Sequence, residues 1–138
     1  MGGEGSPQQV KSIDSNVLLP VTNQDDPVQS PTAAAVLGKP VFISHGVIME
    51  KEWVLRSHHR WPRLRIARAF KLLLEVRTIH LLEPDLLLWC FNRYEAGADL
   101  TDMLHIVASK DFEAFLSFES KLAQIAGPDA PVPVERLA

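Results

Sequence analysis

Short apolar runs, each too brief for a stable helix, alternate along this chain with longer segments of helical periodicity, and that alternation restricts the fold more than any other feature. Val10–Asp14, Pro40–Ser44, Arg77–Leu82 and Ala114–Phe118 read as strands, rich in β-branched and aromatic residues. Helices are expected between them. One runs from about Gly46 to His58 with Val47, Ile48, Val54 and Leu55 as its apolar positions. Pro62 opens what reads as the longest helix, where Ile66, Phe70 and Leu73 recur and Arg68, Lys71 and Glu75 take another face. Further helices follow from Pro84 to a stop at Gly97, over about Leu100–Ser109, and over Glu119–Ala126 before Gly127. An earlier one is marked by Ser30 as N-cap, Pro31 as first helical residue and Gly38 as C-cap. Strands separated by helices pair in parallel, so the fold class is α/β with a mostly parallel sheet.

The 138 residues hold one domain. Residues 1–9, rich in Gly, Ser, Pro and Gln, read as a disordered extension, and 10–138 as the domain. Prolines in its last ten or so residues restrict any strand there to a sheet edge. No apolar run reaches the roughly 18–20 residues that span a bilayer. The first residues lack the apolar stretch of a secretory signal. Cys90, the one cysteine, excludes an internal disulfide and a cysteine-based zinc site; in Leu-Leu-Leu-Trp-Cys-Phe it reads as a buried structural thiol. A cytoplasmic, membrane-free protein is expected.

A net charge of −3 argues against a protein that simply coats nucleic acid. The charge is uneven, however. Trp53 to Leu74 contains no acid, while Arg56, Arg60, Arg63, Arg65, Arg68 and Lys71 all lie within it. That stretch is a candidate contact for RNA phosphates or for an acidic or amphipathic partner segment, with a solvated face as the plain alternative. His58 and His59 adjoin it, and Trp53, Trp61 and Trp89 read as core or interface anchors.

Asp14 closes the first strand, Glu50 lies in the helix after the second, Asp102 stands near the start of a late helix, and Glu119 follows the fourth strand. In a parallel sheet such junctions share one edge, outside the carboxyl ends of the strands. Carboxylates converging there repel one another unless a cation neutralises them. Oxygen-only ligation suits Mg²⁺ or Mn²⁺, which acidify bound water and offset charge on a phosphodiester. The plain alternative is solvated surface, since most of the 17 acidic residues must be solvated and helix N-termini favour acids on their own account. Asp99 reads as a supporting group or an N-cap. Glu52, about 200° around a helix from Glu50, reads as surface. His105 reads as a structural histidine against the core rather than a metal ligand. Asn16 at the second position after Asp14 departs from the Asp-x-Asp of aspartyl-phosphate hydrolases, and no glycine-rich phosphate loop or Ser-His-Asp set is present.

Four segments carry a resemblance. Ile-Asp-Ser-Asn-Val-Leu-Leu followed by Gln-Asp-Asp-Pro, Val-Ile-Met-Glu-Lys-Glu-Trp-Val-Leu-Arg-Ser, Gly-Ala-Asp-Leu-Thr-Asp-Met-Leu-His and Leu-Ser-Phe-Glu-Ser-Lys-Leu-Ala resemble, in this order, segments of VapC-type PIN-domain ribonuclease toxins of the VapBC toxin–antitoxin family. The similarity covers about residues 10–127. It implies a three-layer α/β/α PIN-like domain and a Mg²⁺- or Mn²⁺-dependent endoribonuclease acting with a metal-activated water. It further implies a cognate VapB-like antitoxin and a homodimer. By motif position the acids fall on Asp14, Glu50, Asp102 and Glu119, with Asn16 and Asp99 as supporting groups and Ser117 in place of the family's threonine. Glu119 departs from the usual aspartate. Its extra methylene displaces the carboxylate by about 1.5 Å, where metal–ligand distances tolerate about 0.2 Å. A catalytically weakened PIN-like module that binds RNA or a protein partner is the alternative this departure leaves open.

Overall fold

The computed structural model describes residues 10–15 and 38–138. Within them lie β1 (Lys11–Ser12), β2 (Val41–Phe42), α1 (His45–Ser57), α2 (Arg63–Leu73), β3 (Ile79–His80), α3 (Pro84–Glu95), α4 (Leu100–Ala108), β4 (Phe115–Ser117), α5 (Leu122–Ala126) and β5 (Val134–Arg136). The chain is thus mixed α/β with short parallel strands. The expected helix with Ser30, Pro31 and Gly38 as its markers lies outside the described residues except for Gly38, as do Asn16 and the 1–9 extension.

Burial of one apolar stripe explains each helix. In α1 the Ser44 side chain accepts the Val47 N–H at 3.1 Å, satisfying a donor that the first turn leaves open. Ile48 and Leu55 then face the core. α1 begins at His45, one residue before the expected Gly46, and at 13 residues it is longer than α2, which has 11. The helix expected to be longest ends sooner because its apolar stripe ends at Leu73. Pro62 serves as its N-cap residue, and Ile66, Ala67, Phe70 and Leu73 are buried. α3 starts at Pro84, where a missing N–H costs nothing, after Glu83 in the left-handed region (φ 51°). It packs against both α2 and α4, with Phe91 stacked on Phe70 at 5.3 Å.

β1, β2 and β3 form a parallel sheet in that order, with Lys11 opposite Val41 and Val41 opposite Ile79. Backbone bonds from Ile13 N to Phe42 O (3.0 Å) and Ile43 N to His80 O (3.1 Å) extend the ladder by one residue beyond the paired strands. Parallel neighbours need crossovers, and α1 with α2 provides the one from β2 to β3. β4 and β5 form a second parallel pair joined through α5, with Ser117 opposite Arg136. The tail strand expected at an edge is β5, which pairs only with β4 among the described strands. Pro133 takes part as an acceptor, its carbonyl receiving the Phe115 N–H at 2.8 Å. No helix among the described residues is long and apolar enough to cross a membrane.

Two side chains depart from expectation. Glu52, read as surface, is buried at 6% exposure. It stands four residues after Ile48 and three before Leu55, so it belongs to the buried stripe of α1. His105, read as packed on the core, is exposed. Leu100, Met103, Leu104, Ile106 and Val107 take the inner face of α4, which turns His105 outward. Trp53 is half exposed, with the ring of His58 edge-on at 5.0 Å. Trp61 is buried, and Cys90 is fully enclosed, its thiol pushed up to about 12 by burial.

Candidate functional site

Asp14, Asp99, Asp102 and Glu119 lie in loops or at a helix start, and Glu50 lies within α1. Asp14 follows Ile13, whose N–H bonds across the sheet one residue beyond β1, and is exposed. Glu50 is on α1 and exposed. Asp99 is the N-cap of α4, its Oδ1 accepting the Asp102 N–H at 3.0 Å. Of the two roles left open for Asp99, capping is the one its geometry fills. Asp102 lies in the first turn of that helix and is half-buried. Glu119 follows β4, and its N–H donates to Ser117 Oγ at 3.0 Å, a local turn that sets where the residue leaves the strand. The hydroxyl at 117 therefore has a structural task.

Electrostatics joins part of this set. The Asp102 carboxyl is held above its ordinary range, first by burial, then by the negative charges of Asp99 and Glu119, with His105 opposing. Carboxylates from the α4 start and the β4–α5 loop thus share one field. Glu50 is not among the charges acting on Asp102. No ion pair engages Asp99, Asp102 or Glu119 among the described residues. Their chemistry, oxygen-only and mutually repelling, suits a hard divalent cation. Yet among the described residues no three His, Cys, Asp or Glu side chains are gathered closely enough to hold a metal.

The arginines, read together as a contact surface, separate into two kinds. Arg56 donates to Glu52 at 2.7 Å, and Arg65 lies over the Trp61 ring at 3.7 Å. Arg63 donates to the carbonyls of Tyr94 (2.8 Å) and Ala98 (2.7 Å) and sits 4.5 Å from the Tyr94 ring centroid. Arg60, at φ 55°, and Arg68 are exposed and make no ion pair among the described residues. Lys71 pairs with Glu95 at 3.1 Å.

Sequence reasoning missed a polar cluster between α1 and α3. Glu52 accepts bonds from both Arg56 Nε and the hydroxyl of Tyr94, the latter at 3.0 Å. Burial and the Glu52 charge push the Tyr94 hydroxyl up, and Glu52 raises Arg56. Lys51, beside it in sequence, is 1% exposed, and its Nζ has no hydrogen-bond partner. Burial lowers this amine to about 8. The spacing Ile48–Lys51–Glu52–Leu55 carries the signal for both residues, since all four share one helical face. Compared with protein-family models, with curated proteins and with solved structures, the chain matches none of them.

Proposed function

We propose that this chain is a divalent-metal-dependent endoribonuclease with a PIN-like three-layer α/β/α architecture, and the toxin half of a VapBC-type pair. The toxin half of the reading rests on the four resembling segments. The observation that carries the nuclease half is the carboxyl of Asp102, raised by burial together with the charges of Asp99 and Glu119. A site that concentrates unpaired negative charge on a half-buried acid is one that a cation relieves.

Asp14, Glu50 and Asp102 would hold Mg²⁺ or Mn²⁺, with Asn16 supporting the first acid and Glu119 completing the anionic surround. A divalent ion there supplies an acidified water and offsets charge developing on the phosphodiester. Asp99 fixes the backbone at Asp102, and Ser117 fixes it at Glu119. Arg60 and Arg68 make no ion pair among the described residues and are available to RNA phosphates, whereas Arg56, Arg63 and Arg65, though exposed, are already engaged by Glu52, by the Tyr94 and Ala98 carbonyls and by the Trp61 ring. Exposed Leu64, Leu72 and Val76 share α2 and its end with Arg68, and they offer an apolar, basic face to a VapB-like antitoxin or a second copy of the chain.

Incubation of the purified protein with single-stranded and structured RNA, with Mg²⁺ or Mn²⁺ and with EDTA, tests the reading. Cleavage that requires the metal and disappears in Asp14→Asn is expected. Cleavage that ignores EDTA, or survives Asp14→Asn unchanged, overturns it. One observation favours a second reading, a PIN-like binding module: the carboxylates do not close into a ligand set. Calorimetry separates the two, because the module would take up no Mn²⁺ at millimolar concentration while remaining folded.

A further inference from the structure

We infer that Arg63 is a positioning residue for the acidic end of α4. The inference rests on the nuclease reading for its consequence in the reaction, though not for its geometry. One nitrogen, Nη1, donates to the Tyr94 carbonyl at 2.8 Å and to the Ala98 carbonyl at 2.7 Å. These two carbonyls bracket the turn that leaves α3 and enters α4. The turn passes through Gly97 at φ +118°, a conformation that side chains strain to adopt. It is otherwise closed by Gly97 N to Tyr94 O (3.0 Å) and Ala98 N to Arg93 O (2.9 Å). Asp99 follows directly, and through its cap bond so does Asp102.

The clamp is built from both sides. The guanidinium lies over the Tyr94 ring at 4.5 Å, while the Tyr94 hydroxyl is held from α1 by Glu52. Arg63 opens α2 and Glu52 lies on α1, so both helices bear on Tyr94 near the end of α3, just ahead of the turn that leads to the acids. A charged donor shared by two carbonyls holds a turn more firmly than neutral bonds do. A planar guanidinium can stack on a ring while it donates, which an ammonium cannot reproduce. Both carboxylates that belong to α4 are therefore placed by a residue from a different helix.

Native-state amide hydrogen exchange at Asp102 and Met103 tests this, with Arg63→Ala compared against Glu75→Ala, a substitution at an exposed position just past the end of α2. Loss of a charge-assisted bond should speed exchange at these two amides about tenfold or more in Arg63→Ala. Glu75→Ala should leave them unchanged, and Arg63→Lys should restore protection in part. Should Arg63→Ala fail to fold, Arg63→Lys carries the same comparison. Mn²⁺ titration of the same proteins should show affinity weakened about tenfold in Arg63→Ala. Equal exchange in Arg63→Ala and Glu75→Ala overturns the clamp. Faster exchange with unchanged Mn²⁺ affinity overturns its role in placing the acids. A wild-type protein that neither binds Mn²⁺ nor cuts RNA overturns the nuclease reading instead, while the exchange result still decides the clamp.

Discussion

Lys51 and Asp102 show how a single buried or crowded charge sets the pH response of this fold. Lys51 carries its amine inside the protein without a partner, and burial lowers it from 10.5 to about 8. That lowering corresponds to about 3 kcal/mol against the charged form in the folded state. Below about pH 8 the amine is charged in both folded and unfolded chains, and the fold carries the whole cost. Between about 8 and 10.5 only the unfolded chain keeps the proton, so stability rises with pH across that window. Lys51→Met should remove the dependence and raise stability at pH 7 by about 2 kcal/mol, as read by urea unfolding. A lower urea midpoint in the variant would show the amine to be stabilising. Asp102 behaves in the opposite sense. Its folded value is raised, so the carboxylate weakens the fold at neutral pH, and that cost is relieved as pH falls through the raised value. With EDTA present, Asp102→Asn should therefore melt higher than the parent at pH 7. Added Mn²⁺ should raise the melting temperature of the parent and leave Asp102→Asn unmoved.

At the scale of elements, capping and stripe length account for where the helices begin and end. Pro84 after strand three and Gly127 after the last helix are punctuation read from sequence, and each stands at its boundary, while Ser44, read only as a strand end, is the N-cap of α1. Ser44→Ala should cost α1 about 1 kcal/mol, measurable by thermal unfolding. A loss near zero would mean that packing of Ile48 and Leu55 alone holds the first turn. The face each helix presents was legible where apolar residues recur, as for Ile66, Phe70 and Leu73. It was misread where polar residues occupy the buried stripe. Glu52 was assigned outward from its angle to Glu50, when its angle to Ile48 and Leu55 is the one that decides. His105 reads as packed on the core, but five apolar neighbours already fill that face and leave it outside.

Across the whole molecule, the parallel pairing of β1, β2 and β3 follows from the alternation of short strands with helices, and the edge position of β5 from the prolines beside it. The β4–β5 pair shields Val132, 3% exposed in the apolar core just ahead of β5. Val132→Ala should cost about 2 kcal/mol in chemical denaturation, and little if the last strand contributes nothing to the cooperative unit. The sequence by itself determined the α/β class, the succession of the described elements, the burial of Cys90 and the places of Asp14, Asp102 and Glu119 after a strand, at a helix start and in a loop, because periodicity and capping act over a few residues. Only the tertiary structure decided that Asp102 feels Asp99 and Glu119 while Glu50 stands apart. It also decided that Arg63 is spent on the turn at Ala98 and that Glu52 answers Tyr94 from another helix. Those relations join residues distant in sequence. They depend on how helices pack, which no local spacing encodes.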